Sequence, residues 1–134
     1  MKINEVKIGH VEKYTRVITQ EEVEMFARAT GDYNPVHLDK EFAATTMFKK
    51  PIAHGMLSGS LFSTIFGTIY PGNGSIYLKQ SLTFTKPVYI NEEINVKVEV
   101  ENIDEQKKYV YFNTIASNIK DEVVCKGQAV IYLP

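Results

Sequence analysis

The sequence predicts an α+β domain in which an antiparallel sheet packs on one interior helix. Three observations lead there. Helically spaced apolar residues are gathered in the first half of the chain, and the run from 54 to 69 is proline-free, almost uncharged and apolar on most sides. After Gly74 the hydrophobic period becomes two. The 134 residues can form one core without disulfide or metal staples, and no linker, repeat or low-complexity tract divides them. Residues 1–134 are therefore expected to be a single domain.

The elements follow in order. A weak strand is expected over Glu12 to Ile18. Thr19-Gln20-Glu21-Glu22 has the form of a capping box, and Val23, Phe26, Ala27 and Thr30 continue it at helical spacing until Gly31, giving a short helix over about 20 to 29. Asn34-Pro35 disfavours helix and predicts a turn. Asp39 can cap a second short helix through Phe42 and Ala44.

From His54 to Ile69 the bulky residues Met56, Leu57, Leu61, Phe62, Ile65, Phe66 and Ile69 predict a buried helix, ended by Pro71-Gly72-Asn73-Gly74. Gly55, Gly59, Ser63 and Gly67 recur every fourth residue and form one stripe. Either backbone packs closely there or a ligand lies along it. Strands are then expected over Ile76 to Phe84, over the alternation Ile94, Val96, Val98, Val100, over Tyr109 to Ala116, and over Val123 to Tyr132.

Fifteen Lys and Arg against sixteen Asp and Glu leave a net charge of −1, too weak a field for a dedicated nucleic-acid binder. The lone Cys125 has no partner for an intrachain disulfide or a thiolate zinc site, and it is expected as a small core residue. No apolar run suits a signal peptide or reaches the roughly 18 residues of a membrane span. A cytoplasmic location without membrane contact is expected.

Chemistry concentrates in Gly31-Asp32-Tyr33-Asn34-Pro35-Val36-His37, an acid, an amide and an imidazole in one loop. A turn at Asn34-Pro35 can fold Asp32 and His37 toward one bound water as an acid/base pair; alternatively Asp32 only satisfies backbone N–H groups of the turn. His54-Gly55 opens the interior helix, where unpaired N–H groups stabilise an oxyanion, unless His54 merely packs there. His10 is expected at the surface. The three histidines are dispersed, so no metal site is expected, and no Gly-x-Gly-x-x-Gly, Walker or Gly-x-Ser-x-Gly motif occurs.

Gly31-Asp32-Tyr33-Asn34-Pro35-Val36-His37 with Ala43, followed by Pro51-Ile52-Ala53-His54-Gly55-Met56-Leu57, resembles the MaoC-like (R)-specific enoyl-CoA hydratases over essentially the whole chain. The Gly74-Ser75-Ile76-Tyr77-Leu78 opening of the strand region resembles them as well. The resemblance implies a hot-dog fold, with the sheet wrapped around the long helix, and a homodimer. It implies that Asp32 and His37 activate a water and that the Gly55 N–H binds the thioester oxygen. Ser63, Asn34 and His54 join the substrate-binding set. The implied reaction is reversible syn hydration of a trans-2-enoyl-CoA to the (R)-3-hydroxyacyl-CoA, with no cofactor or metal, since coenzyme A belongs to the acyl-CoA substrate. Lys49 and Lys50 are candidates for its phosphates, or simply solvated lysines. Rival expectations are a hot-dog acyl-CoA thioesterase and a non-catalytic acyl-thioester-binding module.

Overall fold

The computed structural model describes residues 1–134. Its sheet consists of β1 (Val11–Val17), β2 (Ile76–Gln80), β3 (Thr83–Phe84), β4 (Glu93–Asp104), β5 (Tyr109–Ser117) and β6 (Val123–Tyr132), all antiparallel. The spatial order is β1-β4-β5-β6-β2, with β3 also on β6. The helices are α1 (Gln20–Thr30), α2 (Pro35–Leu38), α3 (Lys40–Ala44) and α4 (Gly55–Thr64); a wider π turn, Ile65–Ile69, prolongs α4.

The predicted alternation puts Ile94, Val96, Val98 and Val100 of β4 on the inner face, joined by Val110, Phe112 and Ala116 of β5 and Ala129 and Ile131 of β6. Against them lie Leu61, Phe62, Ile65 and Phe66, and the Phe66 and Phe112 rings meet at 4.6 Å. Each such side chain contributes about 1.5–3 kcal/mol on burial. This packing fixes α4 to the sheet. Cys125 is fully buried in the same core, and no helix is long and apolar enough to cross a membrane.

Four local expectations change. Asn34-Pro35 starts a helix instead of only turning the chain: proline occupies the first helical position, where its missing N–H costs nothing, and Asn34 Oδ1 accepts from Val36 N at 3.2 Å. The single strand expected over 76 to 84 is two, because the chain crosses close over Gly127 between them. Ser81 N donates to Gln128 O, and Ser81 Oγ accepts from Gln128 N. His10 is half-buried, stacked on Tyr70 at 4.1 Å with Nε2 2.9 Å from Glu12. The capping box is half made: Thr19 accepts from Glu22 N, while the Glu22 carboxylate pairs with Arg16 at 3.3 Å.

A Cβ on Gly127 would stand 1.7 Å from Ser81 O, which is backbone and cannot step aside. Gly127→Ala is expected to destabilise the protein by about 3 kcal/mol or more, the upper end for overpacking. Thermal or urea unfolding measures it; an unchanged midpoint would contradict the crossing.

Candidate functional site

The site is assembled from the α1–α2 connection and the start of α4. Gly31 ends α1 in the left-handed region, φ 82°, which turns the chain sharply toward Asp32. Asp32 Oδ1 accepts from Asn34 N at 3.2 Å, an Asx turn that steadies the loop while leaving carboxylate capacity free. His37, the third residue of α2, is buried, and its Nδ1 lies 2.7 Å from Ile52 O. A carbonyl only accepts, so Nδ1 carries the proton and Nε2 presents a lone pair. Ile52 is itself tied down by its N–H to Val36 O and by a bridge to Tyr89.

His54 is the N-cap residue of α4, yet its side chain makes no cap. Instead Nε2 donates to the Asp32 carbonyl at 3.0 Å, and the ring meets those of His37 and Phe26 in tilted contacts, with centroids 3.9 Å and 4.8 Å away. At the positive end of α4, the Gly55 and Met56 N–H groups have no acceptor within the chain. Phe84 covers this end so closely that a Cβ on Gly55 would meet its ring at 2.9 Å.

These groups line one cavity of about 520 Å³: Asp32, His37, His54, Gly55 and Ser58, among apolar residues that include Met47, Phe48 and Val88. Burial lowers the His37 pKa below the ordinary 6.5; the Ile52 carbonyl and the Asp32 carboxylate oppose this but do not cancel it. A neutral imidazole beside a carboxylate can take a proton from water and return it. Donor atoms of Asp32, His37 and His54 also lie within 4.8 Å of one another, a spacing that could hold a metal ion. Dispersion along the sequence concealed this convergence of two histidines.

Not every predicted residue arrives here. Asn34 is exposed and spends its side-chain oxygen on capping α2. Ser63 lies eight residues beyond Gly55, about 12 Å along a helix. It is exposed in a separate groove with Phe26, Gly59, Tyr77 and Leu78, so one chain does not bring it to the Asp32–His37 centre. The stripe resolves accordingly: side chains of Phe84 and Leu82 press on Gly55 and Gly59, and Gly67 is open. Lys49 and Lys50 line a neighbouring cavity with Lys40, and Lys50 Nζ sits 4.9 Å over the Tyr89 ring. The lysine that lines the cavity with Asp32 and His37 is Lys86, paired with Glu122. Ser58 was missed, although it is a polar residue one helical turn from His54 in an apolar run.

Comparison with known proteins gives a consistent result. The family described as MaoC like domain matches residues 4–123. An (R)-specific enoyl-CoA hydratase of Aeromonas caviae is 40% identical over 134 residues, covering all of both chains. A 3-hydroxybutyryl-CoA dehydratase of Methylorubrum extorquens is 38% identical over 130 residues, 97% of this chain and 82% of its own. The solved structure of an R-hydratase from Pseudomonas aeruginosa, unliganded, superposes with TM-score 0.94 at 42% identity, covering 99% of this chain and 85% of that one.

Because His37 is harder to protonate folded than unfolded, the unfolded chain binds more protons below the ordinary histidine range. Its contribution to stability is present above pH 6.5 and is lost as pH falls from there through the lower folded value. An NMR titration should give His37 a midpoint below 6.5. A midpoint at or above that value would mean that burial does not dominate.

Proposed function

The chain belongs to the MaoC-like domain family, is a hydro-lyase with the hot-dog fold, and on that footing we propose how it works. The reaction is reversible hydration of a trans-2-enoyl-CoA to the (R)-3-hydroxyacyl-CoA, carried out by the single domain 1–134. The observation that carries this reading is the convergence of Asp32 and His37 in one cavity beside the unpaired N–H groups of Gly55 and Met56.

The acyl thioester lies with its carbonyl oxygen at the start of α4 and C2 and C3 toward Asp32 and His37. The Asp32 carboxylate accepts one O–H of a water, and His37 Nε2 accepts the proton of the other as oxygen bonds to C3. Charge moves to the thioester oxygen as an enolate, where each backbone donor is worth about 3–4 kcal/mol. The imidazolium, favoured by the Asp32 charge, returns that proton to C2 from the same face. The net change is one water added syn, and reversal of the steps is the dehydration. Proton handling by the pair supplies roughly 10²- to 10⁴-fold.

The proposal involves no cofactor or metal: coenzyme A enters and leaves with the substrate. It carries a cytoplasmic setting, in keeping with the single unpaired Cys125. It also includes a homodimer, supported by β2, an edge strand whose Ile76, Tyr77 and Leu78 are all exposed beside the Ser63 groove. A second copy covering that edge is the expected occupant.

Asp32→Asn should lower turnover at least about 10²-fold with the fold retained, and His37→Ala comparably. Ser63→Ala should be milder than either. The assay follows loss of the ultraviolet band of crotonyl-CoA while titrating free thiol. Release of coenzyme A thiol would indicate a thioesterase, and binding without turnover a non-catalytic module. For the dimer, Leu78→Lys should shift the sedimentation coefficient toward a monomer; an unchanged coefficient would place the interface elsewhere.

A further inference from the structure

Two buried side-chain atoms have no hydrogen-bond partner, His54 Nδ1 and Ser58 Oγ. Both residues are 2% exposed, and both line the cavity that contains Asp32 and His37. They stand at the N-cap and in the first turn of α4, four positions apart and so on one helix face. Among the hydroxyl residues of this helix and its π extension, Ser58 is the one that is both buried and unpartnered. Ser60 donates to Leu57 O and Thr68 to Thr64 O, each turning back on the preceding turn, whereas Ser58 makes no such bond.

The two atoms are complementary. His54 Nε2 donates to a carbonyl and therefore carries the ring proton, which leaves Nδ1 as a lone-pair acceptor. Ser58 offers a hydroxyl that can donate. Buried polar atoms in native proteins are satisfied by protein or by ordered water, and a cavity wall gives water a way in.

We propose that Ser58 is a positioning residue of this site: its hydroxyl and His54 Nδ1 hold one water between them, fixing His54 in the tautomer that grips the Asp32 carbonyl. The water accepts from Ser58 and donates to Nδ1. Ser58 touches no reacting atom. It acts through His54, whose ring contacts His37 on one side and whose Nε2 sets the Asp32 backbone. The role in catalysis rests on the hydration reaction proposed above; the tautomer lock does not.

The test uses the full chain with ¹⁵N-labelled histidines, as wild type, Ser58→Ala and Ser58→Thr. In the wild type without substrate, His54 is expected as the Nε2–H tautomer with Nδ1 at the resonance of a hydrogen-bonded acceptor. In Ser58→Ala that resonance should move to the unbonded position, and Ser58→Thr should restore it. Crotonyl-CoA kinetics should show kcat down roughly tenfold in Ser58→Ala with KM little changed, recovered in Ser58→Thr. An unmoved His54 resonance, an unchanged kcat, or a kcat loss that threonine does not recover would each overturn the proposal. Since the resonances are read without substrate, an inactive wild type with the Ser58-dependent shift would refute the reaction and support the lock.

Discussion

One imidazole that transfers no proton in the proposed reaction holds the site together. His54 joins the loop after α1 to the first turn of α4 through its bond to the Asp32 carbonyl, and its face is the surface on which His37 rests. Without that link Asp32 belongs to a surface loop held by its own Asx turn, and His37 to a one-turn helix held at Ile52 O. With it, their placement is inherited from α4. That helix is held by Leu61, Phe62, Ile65 and Phe66 against the sheet.

The arrangement divides labour between rigid and adaptable parts. The sheet fixes the axis of α4, and the axis fixes where its unpaired N–H groups stand. Asp32 and His37 come from shorter elements tied through main-chain carbonyls: His37 donates to Ile52 O, and the Asp32 carbonyl accepts from His54. Main-chain anchors tolerate changes of side chain nearby. They also settle which ring nitrogen is protonated, and so which one can act as a base.

Much of this was legible in the sequence, and the misses have physical causes. The alternation in β4 is unmistakable because one face is buried and the other wet, and the interior helix shows itself by lacking charge. That Asp32, His37, His54 and Gly55 would line one cavity was foreshadowed by the turn formers around them and by the family likeness. Asn34 and Ser63 lie away from that cavity in one chain, for different reasons. An asparagine before proline suits both a ligand contact and a helix cap, and only the hydrogen bond to Val36 N distinguishes them. A four-residue repeat places residues on one stripe but says nothing about how far along it a cavity extends. Ser58 lay off that stripe, and its significance depends on which atoms remain unpaired after folding. The nearness of His37 and His54 depends on tertiary packing between segments that share no local pattern.

The contact of Phe84 with Gly55 has an evolutionary corollary. The glycine leaves the aromatic ring almost no clearance, so a larger residue at 55 demands a smaller or reoriented one at 84. Enlarging residue 55 alone meets a clash, which a matched exchange at 84 relieves. Position 55, far from 84 in sequence but touching it in space, is free to grow only when 84 gives way.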